Sequence, residues 1–257
     1  MNPGISIVII SKDNEKSIET CLESVKWADE IVVVDSGSSD RTIDICNRFG
    51  CKVIKTPWLG FGKTKRLAVE NAEYEWVLSI DTDEACSVDL QKRIMQIISS
   101  EKDVKGYRIK RRTYFLGNEI RYSGWQKDFP LRLFRKENGN FNENIVHESV
   151  ELKGKIGVIK EIMFHYSYPN MEIVLGKMNL YTSLGANKAF LKGKKSSLLG
   201  AIFRGYFKFL KMYILKLGFL DGVEGYILAK QSAFGILVKY VKLYECQQEH
   251  LDSQIGK

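Results

Sequence analysis

An apolar run, Trp76-Val77-Leu78-Ser79-Ile80, ends abruptly in Asp81-Thr82-Asp83-Glu84, placing three carboxylates within four residues. Paired carboxylates at a strand end suit a hard divalent cation. Mg²⁺ and Mn²⁺ prefer oxygen ligands, and Mg²⁺ is usually held by one or two carboxylates together with substrate phosphates. On an extended strand Asp81 and Asp83 point to one side and Thr82 to the other. The competing reading is structural: Asp83 or Ser87 caps a helix that the pattern from Val88 to Ile98 predicts.

Two further groups could complete a site for a phosphate-bearing ligand. Asp35, at the end of a β-branched run, can accept the N3–H of uracil, a donor that cytosine and purines do not offer in the same place. It can equally open an Asx-turn through Ser36-Gly37-Ser38. Lys63, Lys65 and Arg66 follow Gly60-Phe61-Gly62 at the start of a predicted helix, where side chains and helix N–H groups can both meet phosphate oxygens. A solvated helix face is the alternative for at least one of the three. No Gly-x-Gly-x-x-Gly follows the first strand and no Gly-x-x-x-x-Gly-Lys-Ser/Thr occurs, which argues against a dinucleotide-binding fold and an ordinary NTPase.

Strands and helices alternate through the first hundred residues. Strand patterns at Ile5–Ile10, Glu30–Val34, Lys52–Lys55 and Glu75–Ile80 are separated by helix patterns at Ser17–Val25, Thr42–Phe49 and Lys63–Ala72, with Gly50 closing the second helix. This order predicts a doubly wound, mostly parallel sheet, whose ligands bind beyond the carboxyl ends of the strands. Asp13, Asp35 and Asp81 all fall at such ends. After residue 103 the pattern changes to a hairpin over Gly106–Tyr122 and short strands at Leu131–Arg135 and Ile145–Val150. Beyond Pro169 the chain reads as helical, basic and aromatic.

The 257 residues are 44% hydrophobic and carry a formal net charge of +8. From Lys188 to Lys242 there are eleven basic residues against Asp221 and Glu224. This excess predicts an anionic partner, a membrane surface or a nucleic acid. Between Leu198 and Leu220 the apolar stretches are broken by Arg204, Lys208, Lys211 and Lys216, short of the roughly 20 apolar residues that a spanning helix needs. Arg204, Lys208 and Lys211 share one helical face and Phe203, Phe207, Leu210 and Ile214 a neighbouring one, the composition of a helix lying in a membrane interface. Packing that apolar face on the domain is the alternative. Five scattered cysteines, in no metal-binding spacing, suggest a reducing compartment, and the first ten residues lack the basic start of a signal peptide.

Three motifs, Ile7-Val8-Ile9-Ile10-Ser11-Lys12-Asp13-Asn14-Glu15, Ile31-Val32-Val33-Val34-Asp35-Ser36-Gly37-Ser38-Ser39-Asp40-Arg41-Thr42 and Ser79-Ile80-Asp81-Thr82-Asp83-Glu84, resemble in order and spacing the family-2 glycosyltransferases of GT-A fold. Trp58-Leu59-Gly60-Phe61-Gly62, Arg132-Leu133-Phe134-Arg135, His147-Glu148 and Leu220-Asp221-Gly222 extend the resemblance to the bacterial lipopolysaccharide-core β-glucosyltransferases. It implies a nucleotide-sugar donor such as UDP-glucose, inverting transfer to a hydroxyl, and Mg²⁺ or Mn²⁺ at Asp81 and Asp83. Asp13, Glu15, Asp35 and Lys65 would lie around the donor, with Asp35 on the base.

An acceptor hydroxyl then needs a carboxylate base on the face opposite the diphosphate. Many relatives carry a Glu-Asp pair after a Gly-Phe-Asp/Asn-Glu segment, whereas here Phe141-Asn142-Glu143 is followed by His147-Glu148. Asp128 and Glu148 are the candidates; Asp128 is favoured as base, with Glu148 in support and His147 as a third metal ligand or a structural histidine. Arg132 and Arg135 would bind an acidic or phosphorylated acceptor, or form a solvated face.

The expectation is a cytoplasmic enzyme, peripheral on the inner face of the membrane. Residues 1–165 would form a GT-A catalytic domain and 166–257 a helical membrane-associating appendage. It would act on a lipid-linked saccharide, without a nucleic-acid partner. The alternative enzyme is a sugar-phosphate nucleotidyltransferase, which normally has a Gly-rich basic loop where this chain has Ser11-Lys12-Asp13-Asn14-Glu15.

Overall fold

The computed structural model describes residues 2–100, 103–143 and 148–255. The chain divides into two compact units, one of residues 1–112 and 128–165, the other of 113–127 and 166–257. The first is built on strands β1 (Asn2–Ser11), β2 (Glu30–Asp35), β3 (Lys52–Lys55), β4 (Tyr74–Ser79) and β5 (Glu84–Cys86) with helices α1 (Ile18–Val25), α2 (Thr42–Arg48), α3 (Phe61–Glu70) and α4 (Val88–Ser100). Then follow β6 (Val104–Phe115), β7 (Asn118–Glu119), β8 (Leu131–Arg135), β9 (Gly139–Phe141), β10 (Val150–Leu152) and β11 (Lys155–Tyr168). The main sheet runs β3-β2-β1-β4-β8-β6-β11-β5, with β7 paired to β6. β1 to β4 are parallel, and β8 pairs antiparallel with both β4 and β6. This is the doubly wound GT-A arrangement, a mixed sheet whose parallel half is extended by antiparallel pairings.

The parallel strands are covered on both faces, so they read as apolar runs without alternation. Ile5, Ile7 and Ile9 of β1 meet Ile18, Cys21, Leu22 and Val25 of α1 and Leu90, Ile94 and Ile97 of α4 on one side. The α1 and α4 residues recur at three- and four-residue intervals, the spacing of a single helical face. Val8, Val32 and Val34 meet Ala68 and Val69 of α3 on the other side, with Phe141 closing that cluster. Burial pushes the thiols of Cys21 and Cys86 up, Cys86 to about 12, so both serve as small apolar side chains.

The expected hairpin forms, but its second strand is only β7. Leu116 (φ 52°) and Gly117 (φ 86°) make the two-residue turn, both in the left-handed region that a primed hairpin turn requires. Ile120 adds one further hydrogen bond to Thr113, after which the chain leaves the ladder. β5 and the fourteen-residue β11 were not legible from pattern. Lys155, Lys160 and Glu161 interrupt the apolar residues of β11, and only Ile159 and Met163 are buried apolar positions. Of the strand expected at Ile145–Val150, residues 145–147 lie outside the described residues, and Val150 begins β10.

The second unit contains helices α5 (Met171–Leu191), α6 (Leu198–Leu210) and α7 (Gly222–Ile255), with a π-helical turn at Lys211–Leu215 and a 3₁₀ turn at Gly218–Asp221. Its main cluster gathers Phe115, Ile120, Val174, Met212, Leu228 and Ala229. Asp221 accepts hydrogen bonds from the backbone of Arg121 (2.8 Å) and Tyr122 (3.1 Å) and from Ser123 Oγ (2.9 Å), tying residues 121–123 to the start of α7. At Gly225 a Cβ would lie 2.0 Å from the Gly218 carbonyl oxygen and 2.8 Å from Asp221 Cβ. Gly225→Ala should therefore destabilise this unit by about 1–3 kcal/mol, the usual cost of overpacking. A lower midpoint of urea unfolding by circular dichroism is the expected result; an unchanged midpoint would contradict this packing.

Candidate active site

The carboxyl ends of β1 and β2 are neighbours, Ser11 lying opposite Asp35 in the parallel register. Asp35 is buried. Its Oδ1 accepts from Ser11 Oγ (3.0 Å) and Ser38 Oγ, and its Oδ2 accepts from the backbone N–H groups of Gly37 (3.0 Å) and Ser38 (2.9 Å). The Asx-turn is thus formed. A carboxylate offers about four lone-pair sites, so accepting a uracil N3–H would require one of these donors to give way.

Asp13, at φ 51°, accepts from the N–H (2.7 Å) and hydroxyl (3.1 Å) of Ser39. Glu15 accepts from the N–H (3.2 Å) and Nε (3.3 Å) of Arg41. The loops after β1 and β2 are therefore knitted together by the very residues expected to face a donor.

Beyond β4 the chain turns at once. The N–H of Glu84 donates to the Asp81 carbonyl (2.9 Å), while Glu84 Oε2 accepts from the Asp81 N–H (2.9 Å). Because β4 ends at Ser79, strand alternation does not govern Asp81 and Asp83, and the two aspartates face different partners. Asp81 Oδ1 lies 2.9 Å from Lys65 Nζ, and its Oδ2 lies 2.5 Å from the guanidinium of Arg132. Asp83 Oδ1 is 3.6 Å from His165 Nε2, which sits opposite Glu84 in the β5–β11 register. The helix-cap role falls to Ser87, whose Oγ accepts from the Leu90 N–H at 3.1 Å.

A continuous chain of charge results. Lys65 Nζ is also 2.9 Å from Glu148 Oε1. Arg132 also reaches Glu84 Oε1 at 2.8 Å, and Arg111 reaches the same oxygen at 2.8 Å. Arg111 in turn holds Asp128 Oδ2 at 2.6 Å. The order Glu148–Lys65–Asp81–Arg132–Glu84–Arg111–Asp128 sets three cations against four carboxylates and includes both candidate bases. Burial disfavours ionised Asp81, yet the adjacent Arg132 and Lys65 hold its carboxyl well below the usual carboxylate range.

Sequence reasoning placed Lys65 and Arg132 in the site but left a solvated face open for both groups of basic residues. Lys65, Arg132 and Arg135 are all buried. Arg132 and Arg135, three apart on β8, point to opposite faces. Arg132 meets Asp81, whereas Arg135 pairs with Glu75 and lies over the Trp76 ring. Lys63 is exposed and Arg66 half-buried, near Glu143 and Glu70 respectively. His147 lies outside the described residues. Glu84, Arg111 and His165 received no role from sequence. Glu84 was visible as the third carboxylate of its motif, while Arg111 and His165 sit in strands whose pairing has no local signature.

A sequence model of glycosyl transferase family 2 matches residues 6–154. The chain belongs to this family and is a glycosyltransferase. An uncharacterized glycosyltransferase of Rickettsia typhi is 32% identical, covering 94% of this chain and 87% of the relative. The lipopolysaccharide core biosynthesis glycosyltransferase LpsC of Rhizobium meliloti is 27% identical, covering 94% and 92% respectively. Among solved structures, S. aureus TarS 1-349 is similar at TM-score 0.46 and 17% identity, over 96% of this chain and 92% of that one. Mycobacterium tuberculosis glucosyl-3-phosphoglycerate synthase, solved with Mn²⁺, UDP and glucosyl-3-phosphoglycerate, is similar at TM-score 0.38 and 22% identity, over 43% of this chain and 45% of that one.

Glu84→Ala would leave two buried arginines without their shared partner, and should lower stability by about 3–5 kcal/mol. Urea unfolding of the variant measures this, and a loss below 1 kcal/mol would show that the network does not depend on Glu84. Asp81→Asn should cost about 2 kcal/mol at neutral pH. The folded-state pKa of Asp81 is depressed, so its contribution is complete above the unfolded carboxyl pKa and disappears as pH falls below about 4 toward the folded value. The stability gap between wild type and Asp81→Asn should narrow over that acid range; a gap independent of pH would refute the ionised pairing.

Proposed function

We propose that this glycosyltransferase moves a hexose, as from UDP-glucose, with inversion to a hydroxyl of a lipid-linked saccharide of the lipopolysaccharide-core kind. Residues 1–165 carry the catalysis, and 166–257 hold the enzyme peripherally on the inner, cytoplasmic face of the membrane. The observation that carries this reading is the placement of Lys65 and Arg132, both buried, on Asp81 just beyond the end of β4. Open α/β sheets bind ligands there. Similarity to LpsC supports the acceptor class. No helix among the described residues is long and apolar enough to cross a membrane.

The reaction needs two things of these side chains. Negative charge develops on the departing nucleoside diphosphate as the anomeric C–O bond breaks, and Lys65 and Arg132 can exchange carboxylate oxygens for phosphate oxygens. In a water-poor site such pre-placed cations act with little reorganisation. An acceptor O–H must lose its proton as its oxygen bonds to an oxocarbenium-like anomeric carbon. Asp128 takes that proton, oriented by Arg111, and Glu148 keeps Lys65 in place.

Among the described residues no three His, Cys, Asp or Glu side chains converge as a ready metal cage. Asp83 beside His165 nevertheless fits a cation completed by substrate phosphate, because Mg²⁺ commonly takes few protein ligands. These two residues would hold Mg²⁺ or Mn²⁺, which supplies Lewis-acid neutralisation of the leaving diphosphate.

A thermal-shift panel of UDP-, GDP- and CMP-sugars, with and without Mn²⁺, should show stabilisation by a UDP-sugar that is larger with metal. Lys65→Met should lower kcat for transfer by about 100-fold or more. Asp83→Ala should remove the metal-dependent part of both effects. Full activity of either variant would sink its assigned role, and stabilisation by none of the sugars would sink the donor site.

A further inference from the structure

Helix α6 is packed inside out. Its inward face carries small residues: Ala201 and Gly205 are buried, and a Cβ on Gly205 would lie 3.1 Å from the Ala233 carbonyl oxygen of α7. Close approach of the two helices therefore uses the side of α6 with the least apolar surface. Its large residues face outward: Leu198, Leu199, Ile202, Phe203, Tyr206 and Phe207 are each between 51% and 71% exposed. At about 100° per residue these six span half the helix circumference without a charge among them. A contiguous apolar face of this kind marks a contact surface.

Charge decides what the surface meets. Residues 173–220 contain nine lysines and arginines and no aspartate or glutamate. Lys194 and Lys195 precede the helix, Lys211 and Lys216 follow it, and all four are exposed. Pairing this face with a second copy would bring like charges together, whereas an anionic lipid surface complements it. Thirteen residues of α-helix rise about 20 Å, too short to span the ~30 Å hydrocarbon layer.

We infer that α6 lies in the plane of an anionic bilayer, its Leu198–Phe207 face seated below the headgroups and the lysines at both of its ends meeting lipid phosphate. This deepens, and rests on, the membrane-facing role proposed above. Apolar insertion supplies the binding and the basic flanks supply the preference for anionic lipid.

The test uses the full chain and vesicles of equimolar phosphatidylglycerol and phosphatidylcholine, beside vesicles of phosphatidylcholine alone. Wild type should sediment with the first and much less with the second. Ile202→Glu combined with Phe203→Glu should lower partitioning by at least about tenfold, while Phe203→Leu retains it. Lys194→Gln with Lys195→Gln should reduce the preference for anionic vesicles. An unchanged circular dichroism spectrum shows that the exposed substitutions leave the fold intact.

Sedimentation needs no sugar donor, so a failed donor panel leaves it standing. Unchanged stabilisation of the double glutamate variant by a UDP-sugar would show that only the lipid contact was lost. The inference is overturned if wild type ignores both vesicle types or if the double variant binds like wild type. It is also overturned if wild type is a stable dimer in solution that the double variant dissociates, which assigns the face to a second copy.

Discussion

The first unit depends on one buried carboxylate. Glu84 accepts the Asp81 N–H with one oxygen and two guanidinium groups with the other. In a protein interior an isolated ionised carboxylate is prohibitively costly, and so is an isolated guanidinium. Each is therefore retained only because the other is present. The same contacts fix the turn after β4, aim Arg132 at Asp81 and aim Arg111 at Asp128. Diphosphate chemistry and proton removal, assigned to opposite ends of the cluster, share this single junction.

The parallel half of the fold was legible because its determinants are local. β-Branched runs such as Ile31–Val34 are buried on both faces, and the helices between them show one apolar face with clear stop signals, as at Gly50. β5 and β11 were illegible for the complementary reason. They are held by partners far away in the chain, Glu84 opposite His165 and Cys86 opposite Met163; β5 is only three residues long, and exposed lysines break the apolar pattern of β11. At the site, residue types at strand ends pointed to Asp35 and Asp81, and basic residues at a helix start pointed to Lys65. Their actual partners could not be read, because a carboxylate that binds phosphate chemistry and one that stabilises a turn have the same sequence signature. Asp35 performs the second task with all its lone pairs, and Asp81 is shared between two cations.

The two units solve the burial problem in opposite ways. The sheet encloses its largest side chains, with Trp76 and Phe134 fully buried. Around α6 and α7 small residues make the helix contact and the large apolar side chains remain outside. Conventional amphipathic reasoning assigns the apolar side of a helix to its own protein. That assignment fails here because glycine and alanine permit backbone contact without needing a bulky interface.

The linked loops after β1 and β2 have a kinetic consequence. Asp13 bonds to Ser39, Asn14 to Thr42 and Glu15 to both Asp40 and Arg41. Their conformational freedom has already been surrendered when the chain folds. A ligand arriving there meets a rigid rim and loses little affinity to loop ordering. Encounter and release can then proceed with at most a local exchange of hydrogen-bond donors, without wholesale rearrangement of either loop.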